Sequence, residues 1–289
     1  MVITDEVRRM DALRDPFYRV VDSEIVIPEV SGVHVLMQVS DIHLAVFDEF
    51  SDDDERETAE SREANWMKLR EDFTRWHSEP FDDSKRIPSA EVLKKMLALA
   101  EATKPEALIM TGDMLDFVGP AGVRLMREEL AGYGGSLVYV DGNHDAGTGA
   151  ASVGAERIAR LDGFTVVGVN NGDMSVSDAE LAELKALCAE GTPLIIAQHV
   201  PALTEASRDK IVGFGEYFYI DAASQNANAA ELVRVERDDP AVRAVMCGHL
   251  HCFVRSEVAE GKPQLCASSA LCGFVHRITV RGTRVPDNC

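Results

Sequence analysis

The chain has no run of about eighteen or more apolar residues, so no segment is long enough to cross a bilayer as a helix. Its first residues, Met1-Val2-Ile3-Thr4-Asp5-Glu6, lack the basic start and apolar stretch of a secretory signal, which predicts a cytoplasmic protein. No Cys-x-x-Cys spacing relates Cys188, Cys247, Cys252, Cys266, Cys272 and Cys289. Zinc knuckles and redox dithiols are therefore poor readings, and buried free thiols are expected. Basic residues are scarce: 29 Lys and Arg against 49 Asp and Glu give a net charge of −20. That excess repels long nucleic acids and anionic membrane surfaces at long range. An anionic substrate would need local cations, from a small basic pocket or a bound metal. There is no fixed-period repeat and no low-complexity tract, which sets solenoids and propellers aside.

What is present is an ordinary globular composition, 46% hydrophobic and 27% charged over 289 residues. Apolar runs rich in β-branched residues recur at Val33 to Val39, Ala107 to Met110, Leu137 to Val140, Val166 to Val169, Leu194 to Ala197 and Ala244 to Met246, and read as buried strands. Between them lie amphipathic segments. In Ser177 to Glu190, Ser177 and Glu180 match a capping box, Leu181, Leu184 and Leu187 form a stripe, and Gly191 stands at the expected stop. A second helix is expected from Ser89 to Thr103, ended by Pro105. Strands alternating with helices predict an α/β fold.

The organisation expected is a single domain over 1–289 with a helical insertion at about 45–88 and a β-rich C-terminal segment at about 262–289. Within the insertion, Asp48 to Glu63 reads as a solvated face or flexible loop. Trp66, Leu69, Phe73 and Trp76 fall at helical spacing and read as a stripe packed on the main body. The tail from Lys262 to Val285 reads as β-hairpins.

The chemistry sits just past the apolar runs. One run ends in Ser40-Asp41-Ile42-His43, the next in Thr111-Gly112-Asp113-Met114-Leu115-Asp116, and the third in Asp141-Gly142-Asn143-His144-Asp145. Two more end in Gln198-His199 and Gly248-His249-Leu250-His251. Strand ends of a mostly parallel sheet share one edge, where such folds bind ligands. In Asp41-x-His43 and His249-x-His251, an extended backbone would put both side chains on one side. Asp41, His43, Asp113, Asn143, His199, His249 and His251 offer carboxylate, imidazole and amide donors without thiolate, suited to Zn, Mn or Fe. Seven ligands are too many for one catalytic ion and suit two that share a carboxylate. Five of the eight histidines lie at these strand ends, whereas His34, His77 and His276 carry no such context and read as structural.

The ordered set Asp41-x-His43, Gly112-Asp113-x-x-Asp116, Gly142-Asn143-His144-Asp145, His199 and Gly248-His249-x-His251 resembles the calcineurin-like metallophosphoesterases, from about residue 33 to about 280. The resemblance implies a four-layer α-β-β-α sandwich of two mixed sheets flanked by helices, with two metal ions at the strand ends. It implies that Asp41, His43 and His251 hold the first metal and Asn143, His199 and His249 the second, with Asp113 bridging. It places His144 beside the scissile phosphate, oriented by Asp116. In the protein Ser/Thr phosphatases of the family an Arg-Gly follows the Gly-Asp-x-x-Asp element. Here Phe117-Val118 follows, and the resemblance runs instead to bacterial phosphodiesterase-like members. The expected function is hydrolysis of a small phosphoester such as a nucleotide. A non-catalytic scaffold and a nuclease are the alternatives.

Overall fold

The structure is a computed structural model that describes residues 15–76 and 78–283. The expectations for His77 and Cys289 lie outside the described residues. In chain order the elements begin with β1 (Arg19–Val26), β2 (Val33–Val39), α1 (Asp53–Trp76), α2 (Ser89–Thr103), β3 (Ala107–Thr111), α3 (Pro120–Ala131) and β4 (Leu137–Val140). Then come β5 (Ile158–Leu161), β6 (Phe164–Gly168), α4 (Asp178–Glu190), β7 (Leu194–Ala197), β8 (Ala202–Leu203), β9 (Ile220–Asp221) and α5 (Ala227–Asp238). The last are β10 (Val242–Cys247), β11 (Val254–Ala259), β12 (Lys262–Cys266) and β13 (Phe274–Arg281).

One sheet has the order β1-β13-β2-β3-β4 and the other β11-β12-β10-β7-β6-β5. Strands β2, β3 and β4 run parallel, as do β6, β7 and β10. The period-two alternation of a strand explains the continuous apolar runs, because both faces are covered. Leu36, Ile109, Val138, Ile195, Ala197 and Met246 point into the core between the sheets. Their neighbours Met37, Leu108 and Met110 pack with Val92, Met96 and Met126 of α2 and α3. On the far side, Leu194 and Ile196 pack with Leu184 of α4 and Leu232 of α5. The layers are helix, sheet, sheet, helix, as the resemblance implies.

Helix α4 forms as its sequence predicts. Ser177 Oγ accepts the Glu180 amide at 3.2 Å, and Gly191 closes the helix with φ 75°. The tail differs from expectation. Strand β12 pairs antiparallel with β11, a hairpin, but it also runs parallel to β10. After it the chain crosses to the other sheet, where β13 lies parallel to β1 and antiparallel to β2. Local alternation cannot distinguish a hairpin partner from a strand in the opposite layer.

The acidic run after residue 52 is the N-terminal half of α1, not a loop. Asp52 Oδ1 accepts the Glu55 amide at 2.8 Å, and Asp53, Asp54 and Glu55 occupy the first turn, where carboxylates meet the positive end of the helix dipole. Two carboxylates of α1, Glu55 among them, also meet the N-terminal ends of other helices. Glu63 accepts the Ser89 amide of α2 at 3.0 Å, and Glu55 accepts the Ala121 amide of α3 at 3.2 Å. These bonds fix how α1 lies on the body. The apolar stripe is only partly packed: Phe73 meets Phe274 edge-on, whereas Leu69 is 44% and Trp76 87% exposed.

Candidate metal centre

Five strands deliver the polar residues to one edge shared by both sheets: β2, β3 and β4 of the first, β7 and β10 of the second. The loops stay paired beyond the strands. The Asp41 amide donates to Gly112 O at 3.0 Å, the His43 amide to Asp113 O at 2.9 Å, and the Gly248 amide to His199 O at 3.0 Å. The expectation that an extended backbone aligns Asp41 with His43, and His249 with His251, fails. Asp41, His43, Asp113, His249 and His251 have φ of 58°, 52°, 53°, 69° and 54°, the left-handed region. Such residues cost on the order of 1–3 kcal/mol each and persist where surrounding structure over-determines them, as the paired loops do here.

Close approach explains two glycines. A Cβ on Gly142 would overlap the Asp113 carboxylate, and one on Gly248 would overlap Ser40 Oγ and sit 2.8 Å from Asp41 Oδ2. With the glycines in place the ligand residues converge. Ligand atoms of Asp41, His43, Asp113 and His251 lie within 4.8 Å of one another, and so do those of Asp113, His199 and His249. Asn143 Oδ1 stands 3.1 Å from His199 Nε2. Asp113 belongs to both groups, the position a shared carboxylate requires. His144 and Asp116 form a third group with His43.

The ring nitrogens show that the cluster suits cations. His43 Nδ1 faces Asp116 Oδ1 at 3.2 Å, His199 Nδ1 donates to Thr111 O at 2.8 Å, and His249 Nε2 donates to Tyr217 O at 3.0 Å. Each acceptor keeps the proton on the outer nitrogen and leaves a lone pair pointing inward. Inside, His43 Nε2 faces His251 Nε2 at 3.0 Å, and His199 Nε2 faces His249 Nδ1 at 3.1 Å. His199 and His249, whose outer nitrogens both carry the proton, face each other lone pair to lone pair; these repel, and a bound cation or a proton relieves them. Without a cation, a proton does so at His199: burial opposes it, but the Asp113 and Asp41 carboxylates push its pKa up to about 9. Burial likewise opposes ionisation of Asp113, but His199 and His43 hold its carboxyl well below the usual range.

His144 stands at the rim, half-buried. Its Nδ1 donates to Asp116 O at 2.8 Å and lies 3.3 Å from Asp116 Oδ1. The Asp116 hydrogen bond pushes the His144 pKa up to about 9 against the effect of burial. Asp116 thus serves two rings, His43 as well as His144. It also accepts the Trp66 indole N–H at 2.8 Å.

Trp66 corrects the packing expectation for its position. It comes from α1 and stacks on His43 with centroids 4.0 Å apart and planes 23° apart. Two other supports carried no ligand role in the sequence. Buried Asp145 accepts the Met114 amide at 2.8 Å and the Tyr139 hydroxyl at 2.9 Å, joining the loops after β3 and β4. Buried Asn171 accepts the His199 and Val200 amides, both at 2.9 Å. The Gly-Asn-His-Asp motif pointed to Asp145, but no local signal marked Asn171. Tyr217 is 83% exposed, and with Phe218 it walls a cleft of about 590 Å³ over Asp113, His144 and His249.

The fold and this site define a metallophosphoesterase. The chain belongs to the calcineurin-like phosphoesterase family, whose model matches residues 34–253. Among solved structures, it is similar to a dimetal phosphatase from Danio rerio at 12% identity, with a TM-score of 0.51 over 82% of this chain and 88% of that one. It is also similar to a purple acid phosphatase from yellow lupin (Lupinus luteus) seeds at 11% identity, with a TM-score of 0.44 over 87% of this chain and 44% of that one. At such identities the likeness concerns the fold. No curated protein matches the sequence. No described helix is long and apolar enough to cross a membrane.

Proposed function

We propose that the protein is a dinuclear metal-dependent phosphodiesterase acting on a small phosphoester such as a nucleotide or related metabolite. The observation that carries this reading is the pair of ligand groups sharing Asp113 at the floor of an open cleft, with His144 on its rim. In this reading Asp41, His43 and His251 hold one ion, and Asn143, His199 and His249 hold the other. The N/O donor set admits Mn, Fe or Zn. Two such ions supply an acidified water and the positive charge that a phosphoryl group needs, in a protein whose net charge is −20.

The chain's own residues do the rest. Asp113 fixes the spacing of the two halves. Asp116 holds the His144 Nδ1 proton, which leaves Nε2–H of the imidazolium to protonate the departing alkoxide. The scissile group sits between His144 and the ligands, with Tyr217 and Phe218 beside it.

A non-catalytic scaffold is disfavoured because every ligand position and His144 are filled. A nuclease acting on long chains is disfavoured because no Lys or Arg lines the cleft. We extend the reading to a single-domain cytoplasmic protein. Supporting it are a core shared by strands of both sheets and five free cysteines among the described residues. The test is elemental analysis together with assays of bis(p-nitrophenyl) phosphate and p-nitrophenyl phosphate. Faster diester cleavage is expected, and His144→Ala should keep its metal while losing about 100-fold or more in kcat. Metal loss in that variant, or inertness of the loaded protein to both esters, counts against the proposal.

A further inference from the structure

We propose that the apolar groove beside His251 is a subsite for an uncharged alkyl or aryl ester group of the substrate. The inference rests on the phosphodiesterase reading and names the chemistry of one of the two ester groups. The groove encloses about 490 Å³ between the C-terminal part of α1 and the turn at Ser269 to Cys272. Leu69, Phe73 and Trp76 of α1 line it together with Ser269 and Cys272, and His251 lines it too. His251 also lines the larger cleft under Tyr217 and Phe218. His251 therefore borders two clefts, an arrangement that suits a phosphorus bearing two organic groups.

The walls are held in place. Glu55 and Glu63 tie the N-terminal half of α1 to the starts of α3 and α2. Past its C-terminal end, Glu79 is paired with Lys85 and Arg19. Ser269 Oγ donates to the carbonyl of Asp41 at 2.7 Å, coupling that part of the lining to a ligand residue. Leu69 and Trp76 thus remain exposed on a fixed helix, 44% and 87% respectively, and both line a groove that shares His251 with the metal centre. Exposing large apolar side chains there does nothing for folding, and a ligand that covers them removes apolar surface from water. Charge narrows the choice of occupant. The groove contains no Lys or Arg, and Asp72 at its edge repels a further phosphate or carboxylate.

Binding tests this without turnover. Alkylphosphonates from methyl to hexyl, titrated calorimetrically into the manganese-loaded full chain, should bind about twofold more tightly per methylene, half the free energy of full burial. That amounts to about 30-fold between methyl and hexyl. Trp76→Ala and Leu69→Asp should each reduce the ratio to below about fivefold. Equal binding across the series overturns the proposal. So does a chain-length dependence that survives both variants and disappears in Tyr217→Ala, because the other cleft is then the apolar subsite. Hydrolysis of methyl and hexyl p-nitrophenyl phosphate separates the two readings. If neither ester is cleaved while phosphonate binding still rises with chain length, the groove stands and the phosphodiesterase reading falls.

Discussion

On one side of Asp113, His43 is fixed by side chains: Asp116 holds its Nδ1 and Trp66 stacks on its ring. On the other side, His199 and His249 are fixed by main-chain carbonyls, those of Thr111 and Tyr217. A carbonyl acceptor is the same whatever residue supplies it, so these two ring orientations do not depend on the side chains at positions 111 and 217. The first half depends on a residue from the helix inserted between β2 and α2, and its ligand can be retuned by substitutions far away in sequence. Ring nitrogens of metal ligands are commonly held in this way, and the outer partners influence metal affinity.

The largest expected effect erases the contrast. Asp113→Ala removes the carboxylate common to both ligand groups, so elemental analysis should find under one ion per chain and activity should fall at least about 1,000-fold. Two ions retained would mean that the halves are independent. The contrast itself is tested by Trp66→Phe, which keeps the stack but loses the N–H to Asp116. It should weaken the first half's metal affinity by about tenfold, whereas Tyr217→Ala, which keeps its carbonyl, should leave metal titration unchanged. Equal effects would break the comparison.

Asp116→Asn probes the same side through pH. The Asp116 hydrogen bond raises the His144 pKa to about 9, and cations held nearby would pull it lower. A proton donor is lost as pH rises through its pKa, so the alkaline limb of kcat should move to lower pH in the variant, by about one unit or more. An unmoved limb would remove His144 from the proton-transfer role.

The smallest effect concerns what lies under the second half. Glu236 of α5 is buried, and burial pushes its pKa up to about 8 against a hydrogen bond with Gln198. The fold keeps this proton while the unfolded chain gives it up in the ordinary carboxyl range. Its contribution is therefore complete at acid pH and fades as pH rises to about 8. Glu236→Gln should accordingly raise Tm at pH 8 by a few degrees and leave it nearly unchanged at pH 4. An equal shift at both values would show that the carboxyl does not titrate there.

Particular residues show how much was legible in the sequence. The runs Val33 to Val39, Leu137 to Val140 and Leu194 to Ala197 are strands with the expected limits, because a strand covered on both faces is mostly apolar; in β2 the exceptions, His34 and Gln38, are hydrogen-bonded to Glu106 and Thr111. Ser177, Glu180 and Gly191 set the limits of α4 through bonds to their own neighbours. Trp66 was visible as one member of a helical stripe, but period alone does not say that its indole reaches His43 and Asp116. Leu69 and Trp76 had the same pattern and remained exposed. Asn171 follows an ordinary strand end, with nothing local to mark it.

By itself the sequence determined the central strands β2, β3, β4, β7 and β10, the stops of α2 and α4 and the residue types at five strand ends, since each depends on interactions within a few positions. It also carried the set of candidate donors, because these must follow the strands that deliver them. Only the tertiary structure decided that the ligands turn through left-handed backbone, that one insertion residue stacks on His43, and that β13 crosses to the first sheet. Those outcomes depend on contacts between segments tens to hundreds of residues apart, whose relative placement is set by packing of the layers and not by any local preference.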